Sequence, residues 1–519
     1  MKLCTISLLI IAQSVAADYP EDLVAQDALV ILSLDNGNSI NSNFESIQNQ
    51  LSETGDKPDV LDVYLEQLVA NPSAVDLSEK VLLAMQPTNL APNQKPTGMF
   101  GPMPHLVLIC KPIVGSKIEI NSSLLKTSGM FEGWFVASGS DNLSIPNNEK
   151  LSPLFAQLPA GQLSVAVHFE KIWKQFGPIS QMMGGMMINS MNKPGPTGVI
   201  DPETKRQSAA ARNAFGKAVA FCSKVQLLTY GSSISDNKLT SEVSMKTLDS
   251  QDISIDNTNL ENMSSVLAGD TIQYGMSGWF TRMLLDYELD SLASMGEISE
   301  SLPMMIITKS MQDLAKIQEE NVVSYSLNGK TGVSVSALAV TSNQSEYMAM
   351  VPLVINEAAL QLKDNFYIQL LQNYASSNTW SIKMLGQDEE DIKVMESVFP
   401  NDVQLNVGVQ GSDRIFWSVG PKSFRPFIQP HLSPLSQLLK NNEDLAVDLA
   451  FVTDARKFAS GFIDIAISAG SITAEDAIPS APSADASFIL GRNSSGWAAT
   501  YEIDLLGFAK LVNDLDDLN

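Results

Sequence analysis

Cysteine, histidine and positive charge are scarce in this 519-residue chain. The three histidines, His105, His168 and His431, are scattered and match no metal-ligand spacing such as His-Glu-x-x-His, so neither a metal nor a cofactor is expected. No Cys-x-x-Cys pair occurs, no glycine-rich phosphate loop follows a strand, and no Gly-x-Ser-x-Gly elbow is present, since Gly275-Met276-Ser277-Gly278 fails its spacing. Against 58 acidic residues stand 33 basic ones, a formal net charge of −25. Such a surface repels phosphate backbones and anionic headgroups, which argues against nucleic acid as a partner. Beyond the N-terminus no apolar run is long enough to span a bilayer, which takes about 20 residues.

What is present begins with that N-terminus. Met1-Lys2, an apolar run from Leu3 to Ala12 and a small-residue exit read as a cleavable secretory signal over residues 1–17, with cleavage after Ala16 or Ala17. An exported protein, periplasmic or extracellular, is therefore expected. Cys110 and Cys222 remain in the mature chain, each in an apolar stretch. They are read either as one disulfide closing a long loop or as two buried thiols.

The mature chain is too long for a single core. Its segments repeat. LSVAVHF (163–169) matches LAVDLAF (445–451), both with apolar residues at alternate positions, and GWFVASG (133–139) matches IFWSVG (415–420) at nearly the same spacing. The alternation Leu163, Val165, Val167 and Phe169 against Leu445, Val447, Leu449 and Phe451 predicts strands with that side buried. Each runs into an amphipathic helix, through Phe169, Ile172, Trp173 and Phe176 in one copy and Phe451, Ala455, Phe458 and Phe462 in the other. A hairpin then closes each unit, at 225–246 and around Arg492–Gly496. A third strand, helix and hairpin follow in the middle, from Ile272 through Phe280 and Tyr287 to the turn Asn328–Gly332. The expected fold is α+β: two related lobes of antiparallel sheet with helices on one face, residues 18–255 and 256–519, built from this repeated unit.

Chemistry is thin. Ser123-x-x-Lys126, Ser140-Asp141-Asn142 and Lys330-Thr331-Gly332 stand in the order found in penicillin-recognising serine enzymes. The first two are too close for the helical subdomain that normally intervenes, and a second Ser-Asp-Asn at 235–237 shows how cheaply the tripeptide arises. These triplets read as solvated turns, with a serine hydrolase or a structural envelope component as alternatives to a binding protein. FGPISQMMGGMMINSMN (176–192) carries no charge and crowds Met182, Met183, Met186, Met187 and Met191. A core-filling helix is the plainer account. As a surface it would be an adaptable one for a hydrophobic ligand or protein partner, favoured over Cu(I) because no histidine or cysteine lies nearby.

Pro92–Phe100, the apolar strand HLVLICKPI (105–113), the Trp134 strand GWFVASGSDNL (133–143) and the L-x-V-x-V step at 163–167 together resemble large exported proteins of unknown function from planctomycete-like bacteria. The resemblance implies an envelope or periplasmic location and a duplicated α+β fold. It brings no catalytic residues with it. The sequence thus points to a non-enzymatic exported protein that binds a hydrophobic ligand or a partner through apolar surface.

Overall fold

The computed structural model describes residues 19–51, 60–88, 103–121, 124–141, 143, 151–191, 202–248, 254–269, 271–294, 301–329, 332–361, 368–373, 378–384, 389–398, 403–479 and 482–516. The expected leader lies outside them, as do Ser123, Asn142, Lys330 and Thr331. The chain divides into two compact units, residues 1–182 with 219–248 and residues 183–218 with 249–519. Each is antiparallel sheet with packed helices, an α+β fold.

The first unit runs β1 (Val30–Leu34), α1 (Gly37–Gln50), α2 (Val60–Leu65), β2 (Val81–Gln86), β3 (His105–Cys110), β4 (Thr127–Phe131), β5 (Trp134–Ser138) and β6 (Leu163–Val167). Two helices follow, α3 (Phe169–Met191) and α4 (Pro202–Cys222), both passing partly into the second unit's residues, and then β7 (Val225–Ser235) and β8 (Lys238–Thr247). The sheet order is β4-β5-β3-β2-β1-β6-β7-β8, antiparallel throughout. Local chemistry sets the corners. The Asn36 side chain accepts from the Ser39 N–H and starts α1 directly after β1. Asp236 and Asn237, both at positive φ, make the two-residue turn whose twist suits a hairpin.

The second unit contains α5 (Thr258–Ser264), β9 (Ile272–Ser277), α6 (Gly278–Ser294), α7 (Ser301–Ala315), β10 (Gln318–Asn328), β11 (Gly332–Thr341) and α8 (Gln344–Gln361). It continues through β12 (Ile368–Asn373), β13 (Thr379–Met384), α9 (Glu389–Val398), β14 (Val403–Gln410), β15 (Arg414–Pro421) and α10 (Pro434–Lys440). It ends with β16 (Ala446–Asp454), α11 (Ala455–Ala469), β17 (Asp485–Asn493), β18 (Gly496–Asp504) and α12 (Leu505–Asp516). Here the order is β12-β13-β14-β15-β11-β10-β9-β16-β17-β18. From β14 onward it reproduces the first unit strand for strand, and Trp134 and Trp417 fall on equivalent strands, β5 and β15. Strand, helix and hairpin order is legible at β6, β9 and β16. The structure adds a fourth instance at β1, whose β2 and β3 are joined by a long connection instead of a tight turn.

The buried face is not the one the alternation suggested. In β6, Ser164 and Ala166 are buried, packed with Ile31, Leu82, Ile109 and Leu154, whereas Leu163, Val165 and Val167 point to the other, half-buried face. In β16 the two phases are mixed by a bulge between Val447 and Leu449. Leu445 and Val447 enter the core before it, Ala450 and Val452 after it, and Leu449 and Phe451 turn outward. Buried serines pay for their burial with backbone bonds: Ser336 donates to the Ala268 carbonyl at 2.6 Å and Ser324 to the Gly269 carbonyl at 2.9 Å.

In the second unit α5 and α10 cover one sheet face, setting Leu260, Met263, Leu435 and Leu439 against Val322, Ala450 and Ile489. On the opposite face α7 and α8 bring Leu314, Tyr347, Val351 and Ile355 onto Trp380, Val407 and Ile415.

Candidate functional site

On that opposite face a row of side chains crosses seven strands. The register places Trp417, Ala337, Val323, Tyr274, Phe451, Phe488 and Tyr501 side by side on β15, β11, β10, β9, β16, β17 and β18. All seven are half-buried. Neighbours directly opposite across an antiparallel pair touch, so the row is one continuous apolar surface. Under α6, α7 and α8 its Trp417–Ala337–Val323 end opens into a cavity of about 360 Å³. That volume lies in the range of small-molecule sites, roughly 300–1,000 Å³. Met276, Leu285, Ile307, Leu314, Ile355 and Leu405 complete much of the wall, and Met311, 48% exposed, marks its open side.

Among the described residues, none that lines it is charged. The polar groups are mostly spent on one another. Thr281 donates to the Ser277 carbonyl at 3.0 Å and accepts from the Asn321 amide at 2.9 Å. The Trp417 indole N–H donates to the Tyr347 hydroxyl at 3.2 Å, with the two rings edge to face. Burial pushes the Tyr347 hydroxyl up to about 12, against the opposing pull of the Trp417 hydrogen bond, so it stays a neutral donor.

Two devices hold the helical roof. Gly278, where β9 turns into α6, lies so close to the Gln318 carbonyl that a Cβ there would sit 2.2 Å from its oxygen. Beside it, the fully buried Asp448 accepts from Arg492 at 2.6 and 2.8 Å and from Ser277 at 3.0 Å, while Ser277 accepts from the first-turn Phe280 N–H. The Arg492 guanidinium faces Trp279 and Trp497 at 5.0 and 5.5 Å. Arg282 then ties α6 to the end of α7 through the Ala315 and Gln318 carbonyls.

The residues singled out in the sequence fall elsewhere. Met182, Met183, Met186 and Met187 lie on α3 at 45, 59, 64 and 72% exposure, which makes this stretch surface and not core filling. Gly184 explains the orientation: Phe215 of α4 sits where a Cβ would be, and Ile188 on the same side is buried. The Met191 side chain lies outside the described residues. Cys110 and Cys222 are free thiols, so the disulfide open in the sequence is not formed. Cys110 is sealed in β3, and burial pushes its thiol up to about 12, which makes it inert. Lys126 pairs with Asp141 at 3.0 Å on an exposed surface, and Ser235, Asp236 and Asn237 are a hairpin turn. Among the described residues no cluster of histidine, cysteine and carboxylates could hold a metal, and no helix is long and apolar enough to cross a membrane.

The cavity itself was missed in the sequence. Its one local signal is Ala337 and Ala339 in the run VSVSALAV, small residues opposite the bulky Trp417 and Ile415.

No family model matches this chain, and no curated protein matches it. The chain is similar to a solved structure described as crystal form III of TP0453 over 47% of its own length and 79% of that chain, at a TM-score of 0.25 and 6% identity. A likeness this weak carries no argument about function.

Proposed function

We propose that this protein is an exported, non-enzymatic binder of a nonpolar small molecule, held in the cavity beneath α6, α7 and α8. The observation that carries the reading is the wall: about 360 Å³ bounded by an apolar sheet row and three helices, without one charged side chain among the described residues. A concave, mostly apolar cleft of this size is the usual form of a small-molecule site. The shared strand order of the two units supports reading the chain as an internal duplication. Export, and kinship with exported proteins of planctomycete-like bacteria, rest on the sequence features given above.

Native mass spectrometry of protein taken from its own host tests the reading. A co-purifying nonpolar molecule, lost on mild organic extraction, is the expected result. A bare protein that also takes up no nonpolar ligand in vitro would favour a structural envelope component instead. A second reading, docking of a protein partner on the exposed methionines of α3, is favoured by their outward orientation.

A further inference from the structure

We infer that the cavity takes a neutral acyl ester or amide, its chain against Val323, Ala337 and Leu405 and its carbonyl oxygen accepting a hydrogen bond from the Tyr347 hydroxyl. This rests on the cavity being a binding site. Tyr347 is 3% exposed. Among the described residues its hydroxyl makes one hydrogen bond, accepted from Trp417, so its own proton has no acceptor. A buried donor left without an acceptor is costly, and a ligand oxygen would remove that cost.

The rest of the wall narrows the class. Among the described residues, a carboxylate would meet no lysine, arginine or histidine in the lining, and an ammonium no aspartate or glutamate. Either charge would be stripped of water without a partner. The Thr281 hydroxyl is already committed as donor and acceptor. What fits is an apolar chain with one uncharged acceptor.

The test is competition against Nile red in the full-length protein, using decane, decanoate at pH 8 and methyl decanoate. The ester should bind at least tenfold more tightly than either of the others. Tyr347→Phe should bring the ester down to the level of decane and leave decane itself unchanged. Trp417→Phe, which removes the donor but keeps the hydroxyl proton, should retain the ester preference, and it serves as the check if Tyr347→Phe folds poorly. Equal binding of ester and decane, tighter binding of decanoate, or an ester preference that survives Tyr347→Phe would overturn the inference while leaving the cavity a binding site. If none of the three binds, the binding reading falls with it.

Discussion

Filling the cavity should stabilise the protein and close the site. Ala337 lines the cavity on β11, directly opposite Trp417. Ala337→Leu adds three carbons. At about 0.8 kcal/mol per buried methylene, full burial would contribute roughly 2 kcal/mol, an upper figure because the unfolded chain is itself partly collapsed. Cavity-filling substitutions commonly give about 0.5–2 kcal/mol. Were the space already packed, the same three carbons would cost about 1–3 kcal/mol through off-rotamer strain. The two accounts therefore differ in sign. Urea unfolding followed by fluorescence should show a higher midpoint with an unchanged slope, and methyl decanoate should lose at least tenfold in affinity, about 1.4 kcal/mol. A lowered midpoint together with undiminished ester binding would refute both the cavity and its role.

Arg492→Met should destabilise strongly, by about 3–5 kcal/mol, because it leaves the fully buried Asp448 with Ser277 as its remaining hydrogen-bond partner among the described residues; thermal unfolding measures this, and a loss within about 0.5 kcal/mol would contradict it. Glu320 gives a pH signature. Burial pushes its carboxyl up to about 7, so the folded state binds a proton that the unfolded state releases near its ordinary 4.5. Its contribution is full below about 4.5 and is lost as pH rises through 7, so the melting temperature should fall over that window and fall less in Glu320→Gln; identical profiles would refute it. Dilute peroxide should convert Met182, Met183, Met186 and Met187 to sulfoxides well before the fully buried Met263, as read by peptide mass spectrometry. Equal rates would contradict the exposure of the α3 methionines relative to the buried Met263 of α5.

The α+β class and the order of elements were legible because strands, helices and hairpins leave local signals. The hairpin turn at Asp236-Asn237 and the matched Trp134 and Trp417 are examples. Which face of each strand is closed was not legible. Alternation of Leu163, Val165 and Val167 with Ser164 and Ala166 looks like apolar in and polar out, yet a serine whose hydroxyl finds a carbonyl, as Ser164 finds that of Pro159, is as good a core residue as an alanine. The larger side chains then serve the opposite, half-buried face. The bulge after Val447 was equally invisible, because it changes phase without changing composition. Tyr347 and Trp417 stand 70 residues apart in sequence and meet through the β11–β15 pairing and the return of α8, a long-range event no local pattern encodes.

The cavity lies within the second unit, at an insertion that interrupts the strand order shared with the first. Both order their strands alike from β4 to β8 and from β14 to β18, and both send a helix directly out of the strand that begins the first motif. After β3, however, the chain passes to β4 through a connection with no helix among its described residues. After β11 it inserts α8, the strands β12 and β13 and α9 before rejoining the common order at β14. That insertion supplies Tyr347, Val354, Ile355 and Ala358. It is the wall that turns an apolar sheet face into a cavity open on one side, and it brings the Tyr347 hydroxyl, whose proton has no acceptor among the described residues. If the units descend from one ancestral motif, the proposed binding cavity was acquired by the second through this insertion. Deleting it, by joining Thr341 to Val403 with a short polar linker, should then abolish ester binding while the pairing of β9, β10, β16 and β17, which it does not touch, persists in hydrogen exchange.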